Sequence, residues 1–236
     1  MKKKAIWILK GMVVVIVTAL ILGKKTGNSE PPVLVKNFVD LRKIEKISKF
    51  RSCQGHLVIP VDGNEPKSNM KHYFWLKPEY QNTKKVKLFA PYTGKISETR
   101  AEPNEGLEGE IWISNGNSWQ FSIEHIQILS SLKKGEKVEA GQLLGYAAGD
   151  DFDIVYAKGA LIQKKIDGWN SPFAALDSVF NHMSDELLTE YRNNGVNAPK
   201  GMIYKRSFRE ANPCVYRDKK GGFESGDLLE DWVYLK

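Results

Sequence analysis

The chain has 236 residues, 42% hydrophobic and 27% charged, which excludes wholesale disorder and allows one medium domain with a buried core. The net charge of +7 points toward nucleic acid only until its location is read. Lys2, Lys3, Lys4 and Lys10 belong to an N-terminal apolar segment, and without them 31 basic residues face 28 acidic ones. No basic stripe carries interleaved aromatics, so nucleic acid is not an expected partner.

Residues 1–23 read as a targeting segment. Lys2 to Lys4 precede an apolar stretch that runs from Ala5 to Leu22 with Lys10 inside it. Taken whole, it is a short spanning helix whose lysine reaches back to the headgroups. Taken from Gly11 to Gly23, it is the apolar region of a signal peptide. Ile21 and Gly23 make a poor cleavage site, which favours an uncleaved signal anchor with the body outside the cytoplasm. Cleavage would instead release a secreted protein. Either way the membrane is the first expected partner.

Residues 24–38 form a polar, proline-containing linker, and 39–85 read as an N-terminal elaboration of the core. Leu41, Ile44 and Ile47 are spaced for one or two helical turns, and Leu57 to Val61 is strand-like before an Asp62-Gly63-Asn64 turn. Residues 86–168 carry short strands at close spacing. Ile111 to Ile113 and Trp119 to Ile123 flank Ser114-Asn115-Gly116-Asn117-Ser118, a strong hairpin signal. The recurrence argues for an antiparallel sheet closed on itself. Residues 169–236 change character. Ser171-Pro172 reads as a cap and first residue of a helix carrying Phe173, Leu176, Val179, Phe180 and Met183. Ser184 restarts a second helix that Asn193-Asn194-Gly195 ends. Trp232 to Leu235 is a final strand.

Within 86–168 one order of signals stands out: Ala90-Pro91-Tyr92-Thr93-Gly94-Lys95-Ile96, then Glu124-His125-Ile126, then Gly135 through Gly141-Gln142 to Gly145, then Phe152 to Tyr156. This order resembles the sheet core of the M23 (lysostaphin-like) zinc peptidases. The resemblance implies a mainly β fold with C-terminal α additions, in which a barrel-sandwich hybrid (duplicated hybrid motif) core follows the transmembrane or signal-anchor helix.

The resemblance also implies a zinc site, and the sequence departs from it. The family's His-x-x-x-Asp matches His72, but Leu76 stands where the carboxylate belongs. Its His-Leu position is His125, a catalytic rather than a ligating residue. Its His-x-His strand is Asp151-Phe152-Asp153. Tetrahedral zinc needs several convergent donors, so no cofactor is expected. Should a metal be held, the candidates are His72, Asp151 and Asp153, with His125 and Asp153 as the catalytic pair. Asp40, Asp62 and His56 are further possible ligands, and His182 near a helix end reads as a charge–dipole partner. Trp112, Trp119 and His125 are candidates for a binding groove, with core packing the competing reading for both tryptophans.

Cys53 and Cys214 are the only cysteines. In an exported chain an even count suits a disulfide, and two buried thiols are the other reading. The expected function is a membrane-anchored, non-catalytic M23-like protein that binds a peptide, glycan or protein partner of the cell envelope. A divergent zinc metallopeptidase is the alternative. A transport-system adaptor is the third reading, opposed by the absence of heptads between Ser97 and Ser131.

Overall fold

The computed structural model describes residues 30–101, 108–216, 222–223 and 229–236. The proposed anchor falls on residues 1–23, outside this range. Among the described residues no helix is long and apolar enough to cross a membrane.

Among the described residues twelve strands make two antiparallel sheets. In chain order they are β1 (Ile44–Ser48), β2 (His72–Leu76), β3 (Lys87–Phe89), β4 (Gly94–Ala101), β5 (Gly109–Ser114), β6 (Trp119–Glu124), β7 (Ile126–Ile128), β8 (Lys137–Val138), β9 (Leu143–Ala147), β10 (Asp151–Ile166), β11 (Trp169–Leu176) and β12 (Trp232–Tyr234). The larger sheet has nine strands on the path β12-β1-β2-β10-β6-β5-β4-β8, with β11 paired to the far half of β10. The smaller sheet is β3-β9-β7. Among the described residues two α-helices lie between β11 and β12, α1 (Asp185–Asn193) and α2 (Arg206–Ala211).

The sheet is therefore open, not closed on itself as the strand spacing suggested. Among the described residues β12 and β8 end its path without pairing to each other. The strands around the glycine-rich loop, β7 and β9, leave the main sheet and join β3 instead. Between the two sheets lies the core, where Phe38, Phe74, Phe121, Phe152, Ile123 and Leu144 are fully buried. Pleating puts alternate residues of β2, β6 and β10 into it.

Two helical expectations are corrected. Leu41–Lys43 is a single 3-10 turn, and strand β1 follows it. A register shift between Ile44 and Lys46 lets Ile44 and Ile47 both point inward, so a bulge produced the spacing of three. The segment from Ser171 to Leu176 lies within β11, and only Val179–Asn181 turns helically. Backbone pairing with the long β10 overrides the local cap signal. Gly159 pairs with Phe173 and Lys164 with Ser171, which leaves Pro172 opposite an outward bulge where no ladder N–H is needed.

The second helical reading holds. Asp185 and Glu186 occupy the first turn of α1, and the Ser184 hydroxyl accepts a hydrogen bond from the Leu187 N–H at 3.3 Å. Gly195 follows at φ 90°. Ser184→Ala should cost about 1 kcal/mol by loss of this cap, read as a lower urea midpoint at unchanged slope. An unchanged midpoint would mean that the packing of Leu187, Leu188 and Tyr191 alone holds the helix. The hairpin at 114–118 and the strand at the C-terminal end also form as read.

Candidate functional site

The outer face of the large sheet carries the charged residues. Asp153 on β10 lies opposite Glu124 on β6, Glu124 lies opposite Glu110 on β5, and Glu110 lies opposite Arg100 on β4. Three carboxylates and a guanidinium thus form one row across four neighbouring strands. Lys71, just before β2, closes the row. Its ammonium Nζ lies 2.8 Å from Asp153 Oδ2 and 2.9 Å from Glu124 Oε2. At the other end Arg100 reaches Glu110 at 2.8 Å, and Trp112 Nε1 donates to the same carboxylate at 3.0 Å.

Burial sets the electrostatics. Both Lys71 and Asp153 are removed from solvent. Desolvation works against the Lys71 charge, yet Asp153 and Glu124 hold its pKa well above the ordinary value. Burial, and next the Glu124 charge, push Asp153 up to about 7. Burial also works to raise Glu124, but Lys71 outweighs it and the net shift is downward. The two carboxylates share one ammonium and titrate as a unit. Among the described residues Asp153 Oδ1 has no hydrogen-bond partner.

His125 stands at the corner where the chain leaves β6 for β7, at φ 60°. Its Nδ1 contacts Glu108 Oε2 at 3.2 Å, and its Nε2 lies 3.7 Å from Asp153 Oδ2. Burial alone would lower its pKa, but Asp153 and the Glu108 hydrogen bond raise it. Asp151, one pleat along from Asp153, is raised chiefly by burial. The structure thus gathers His125, Asp151 and Asp153 on one face.

His72 is not with them. It sits on the inner face, where Nδ1 is 2.7 Å from the Ser48 carbonyl and Nε2 is 2.8 Å from Ser178 Oγ. Phe50 and Phe180 flank the ring, and burial drives its pKa down to about 4. This is a satisfied core histidine. Residues i and i+4 of a strand share a face, and a slip of one residue reverses it. The outer-face residues at the family's four-residue spacing are Lys71 and Trp75, not His72 and Leu76. Neither is a zinc ligand.

Zinc therefore does not fit the residues present. An ammonium stands between the two carboxylates that face each other. Among the described residues, no group of three or more His, Cys, Asp and Glu side chains converges for a metal. Asp40 caps a 3-10 turn through the Arg42 N–H, and Asp62 holds its own turn through the Asn64 N–H. His182 pairs with Asp177 at 2.8 Å.

The two groove tryptophans lie on opposite faces. Trp119 packs inward on Tyr156, with ring centroids 5.4 Å apart. Trp112 lines an outer cleft of about 300 Å³ together with His56, Lys71, Arg100, Glu110, Glu124, Trp169 and Phe173. Of these only Trp112 was expected in a groove, and strand alternation is the signal that could have found Glu110. Glu110 and Trp112 are separated by one core isoleucine, as Asp151 and Asp153 are by one core phenylalanine. Trp169 carried no such signal, because its place depends on the β10–β11 pairing.

Cys53 and Cys214 form a disulfide with Cα atoms 5.4 Å apart. It joins the segment before β2 to the segment after α2.

No family model matches the sequence, and no curated protein matches it. Solved structures do. Helicobacter pylori Csd3 is 18% identical over 54% of this chain, with a TM-score of 0.37, and this chain covers 32% of that one. The catalytic domain of the prophage-encoded M23 protein EnpA from Enterococcus faecalis is 16% identical over 54% of this chain and 88% of its own, with a TM-score of 0.35. The SpoIIQ–SpoIIIAH pore forming complex gives 14% identity over 66% of this chain and 93% of that one, with a TM-score of 0.37. Several of the structures that this chain resembles, Csd3 and EnpA among them, are of the M23 peptidase type, matched at low identity over part of its length.

Proposed function

We propose that the protein is anchored in a membrane by its N-terminal segment, with its body outside the cytoplasm, and that its M23-like sheet binds an envelope ligand or protein partner without hydrolysing it. One observation carries the non-catalytic part of this reading. Lys71 Nζ, at 2.8 and 2.9 Å from two carboxylates, supplies the cation on the face where the family's chemistry would need a metal with an open position. An ammonium already bonded to both carboxylates neither polarises a carbonyl as a Lewis acid nor lowers the pKa of a bound water. The extracytoplasmic part is supported by Lys2 to Lys4 before the apolar run and by a disulfide of the kind that persists in oxidising compartments.

The test is metal content and hydrolysis, measured on the full chain purified in detergent, incubated with zinc and desalted. The expected result is far less than one zinc per chain and no release of fragments from peptidoglycan. One zinc per chain, lost together with hydrolysis in Asp153→Ala, would establish the divergent peptidase instead. Protease added to spheroplasts should degrade the body, and full protection would overturn the topology.

A further inference from the structure

We infer that the outer cleft takes an uncharged saccharide unit, its ring laid on Trp169 and its hydroxyls on the ion pairs of the floor. This rests on the non-hydrolytic binding reading and names the ligand class for it. The cleft, of about 300 Å³, is at the small end for a ligand site, and aromatic and aliphatic side chains share its lining about evenly with polar and charged ones.

The walls are aromatic and held in place. His56 stacks on Trp169 with centroids 4.0 Å apart and planes 7° from parallel. That stack covers one face of the indole and fixes its plane, while Trp169 keeps 36% of its surface exposed. Burial lowers the pKa of His56 to about 4, so the supporting ring is neutral at ordinary pH. Trp112 and Phe173 pack together on the same cleft, 6.0 Å apart. An aromatic face is the negative pole of the ring quadrupole. It suits the C–H face of a sugar ring, whose hydrogens carry slight positive charge.

The floor decides the charge of the ligand. Four charged side chains line the cleft, and they are two cation–anion pairs, Arg100–Glu110 at 2.8 Å and Lys71–Glu124 at 2.9 Å. A cationic ligand would compete with Arg100 or Lys71 for a carboxylate. An anionic one would compete with Glu110 or Glu124 for a cation. For Lys71, Glu124 and Glu110, whose side chains are largely desolvated, losing the partner is costly, whereas Arg100 is 60% exposed and keeps access to water. An uncharged polyol avoids this. Its hydroxyls donate to the spare carboxylate lone pairs and accept from guanidinium N–H groups, leaving both pairs intact. Asn170 and Gln163 add amide groups to the lining.

The test is calorimetric titration of the full chain in detergent with four probes: chitotriose, cellotriose, trilysine and triglutamate. At least one neutral saccharide should bind. Trp169→Ala should weaken that binding at least tenfold, and Trp169→Phe, which keeps a ring, should weaken it less. Leu161→Ala, at an exposed position outside the cleft, should leave it unchanged. The inference is overturned if neither saccharide binds, if Trp169→Ala binds as well as the parent, or if a charged peptide binds more tightly. Those outcomes leave the non-hydrolytic reading standing. That reading fails separately, if the zinc-loaded protein cleaves peptidoglycan.

Discussion

Lys71→Met is expected to destabilise the folded body by about 3–5 kcal/mol above neutral pH, the cost of removing one partner from a buried ion cluster. Methionine keeps most of the stem volume, so the loss is chiefly electrostatic. Asp153 and Glu124 would then face each other across β10 and β6 with no cation between them. The pH dependence separates this from a packing effect. In the parent protein Asp153 has a folded pKa of about 7 against an ordinary 3.8. Between those values the folded state holds the proton more tightly than the unfolded state does, so this group's contribution to stability falls as pH rises through the window. In the variant the carboxyl pKa values rise further. Its deficit should therefore be largest above pH 7 and shrink as acid protonates the pair. Urea unfolding of both proteins across the range gives the difference directly. A deficit independent of pH would show that Lys71 acts only through its packed stem.

The Cys53→Ser/Cys214→Ser variant is expected to lose about 5 kcal/mol, because the bridge closes a loop of 161 residues and removes that freedom from the unfolded chain. For a body of this size such a loss lowers Tm by about 10–20 °C. The polar contacts around the bridge that use no cysteine side chain remain in the variant, so the expected loss is that of the cross-link. The Cys53 N–H donates to Asp231 Oδ2 at 2.8 Å, and the Arg209 guanidinium lies 3.5 Å from the same carboxyl group. Thermal melts of the parent with and without reductant, beside the double variant, give the measurement. Reduced and oxidised protein melting within about 2 °C of each other would mean that packing already holds residues 53 and 214 together and that the entropic account is wrong.

Local signals were legible in this chain where one short segment settles its own conformation. Ser114 to Ser118 holds the turn residues a hairpin needs, and the hairpin forms. Ser184 caps α1 because its hydroxyl and the N–H it accepts from are only three residues apart. The same locality misled where a distant strand offered something better. Ser171-Pro172 is a sound helix start in isolation, and pairing with β10 makes it part of β11. Ile44 and Ile47 carry helical spacing that a bulge explains equally well.

The candidate site divides along the same line. That Asp151-Phe152-Asp153 stands where the resembled motif has His-x-His is a matter of residue identity, present in the sequence alone. Which side chains face them was not. The run Lys71-His72-Tyr73-Phe74-Trp75-Leu76 mixes apolar, aromatic and polar character on both parities, so no alternation of polarity marks its inner side. Only the pairing of β2 with β10 puts His72 into the core and Lys71 onto the carboxylates, and only the pairing of β10 with β11 brings Trp169 to the cleft. Residue types determined where the chain departs from the motif it resembles. The register between strands distant in sequence decided what stands in its place, because each slip of one residue turns a strand's side chains to the opposite face.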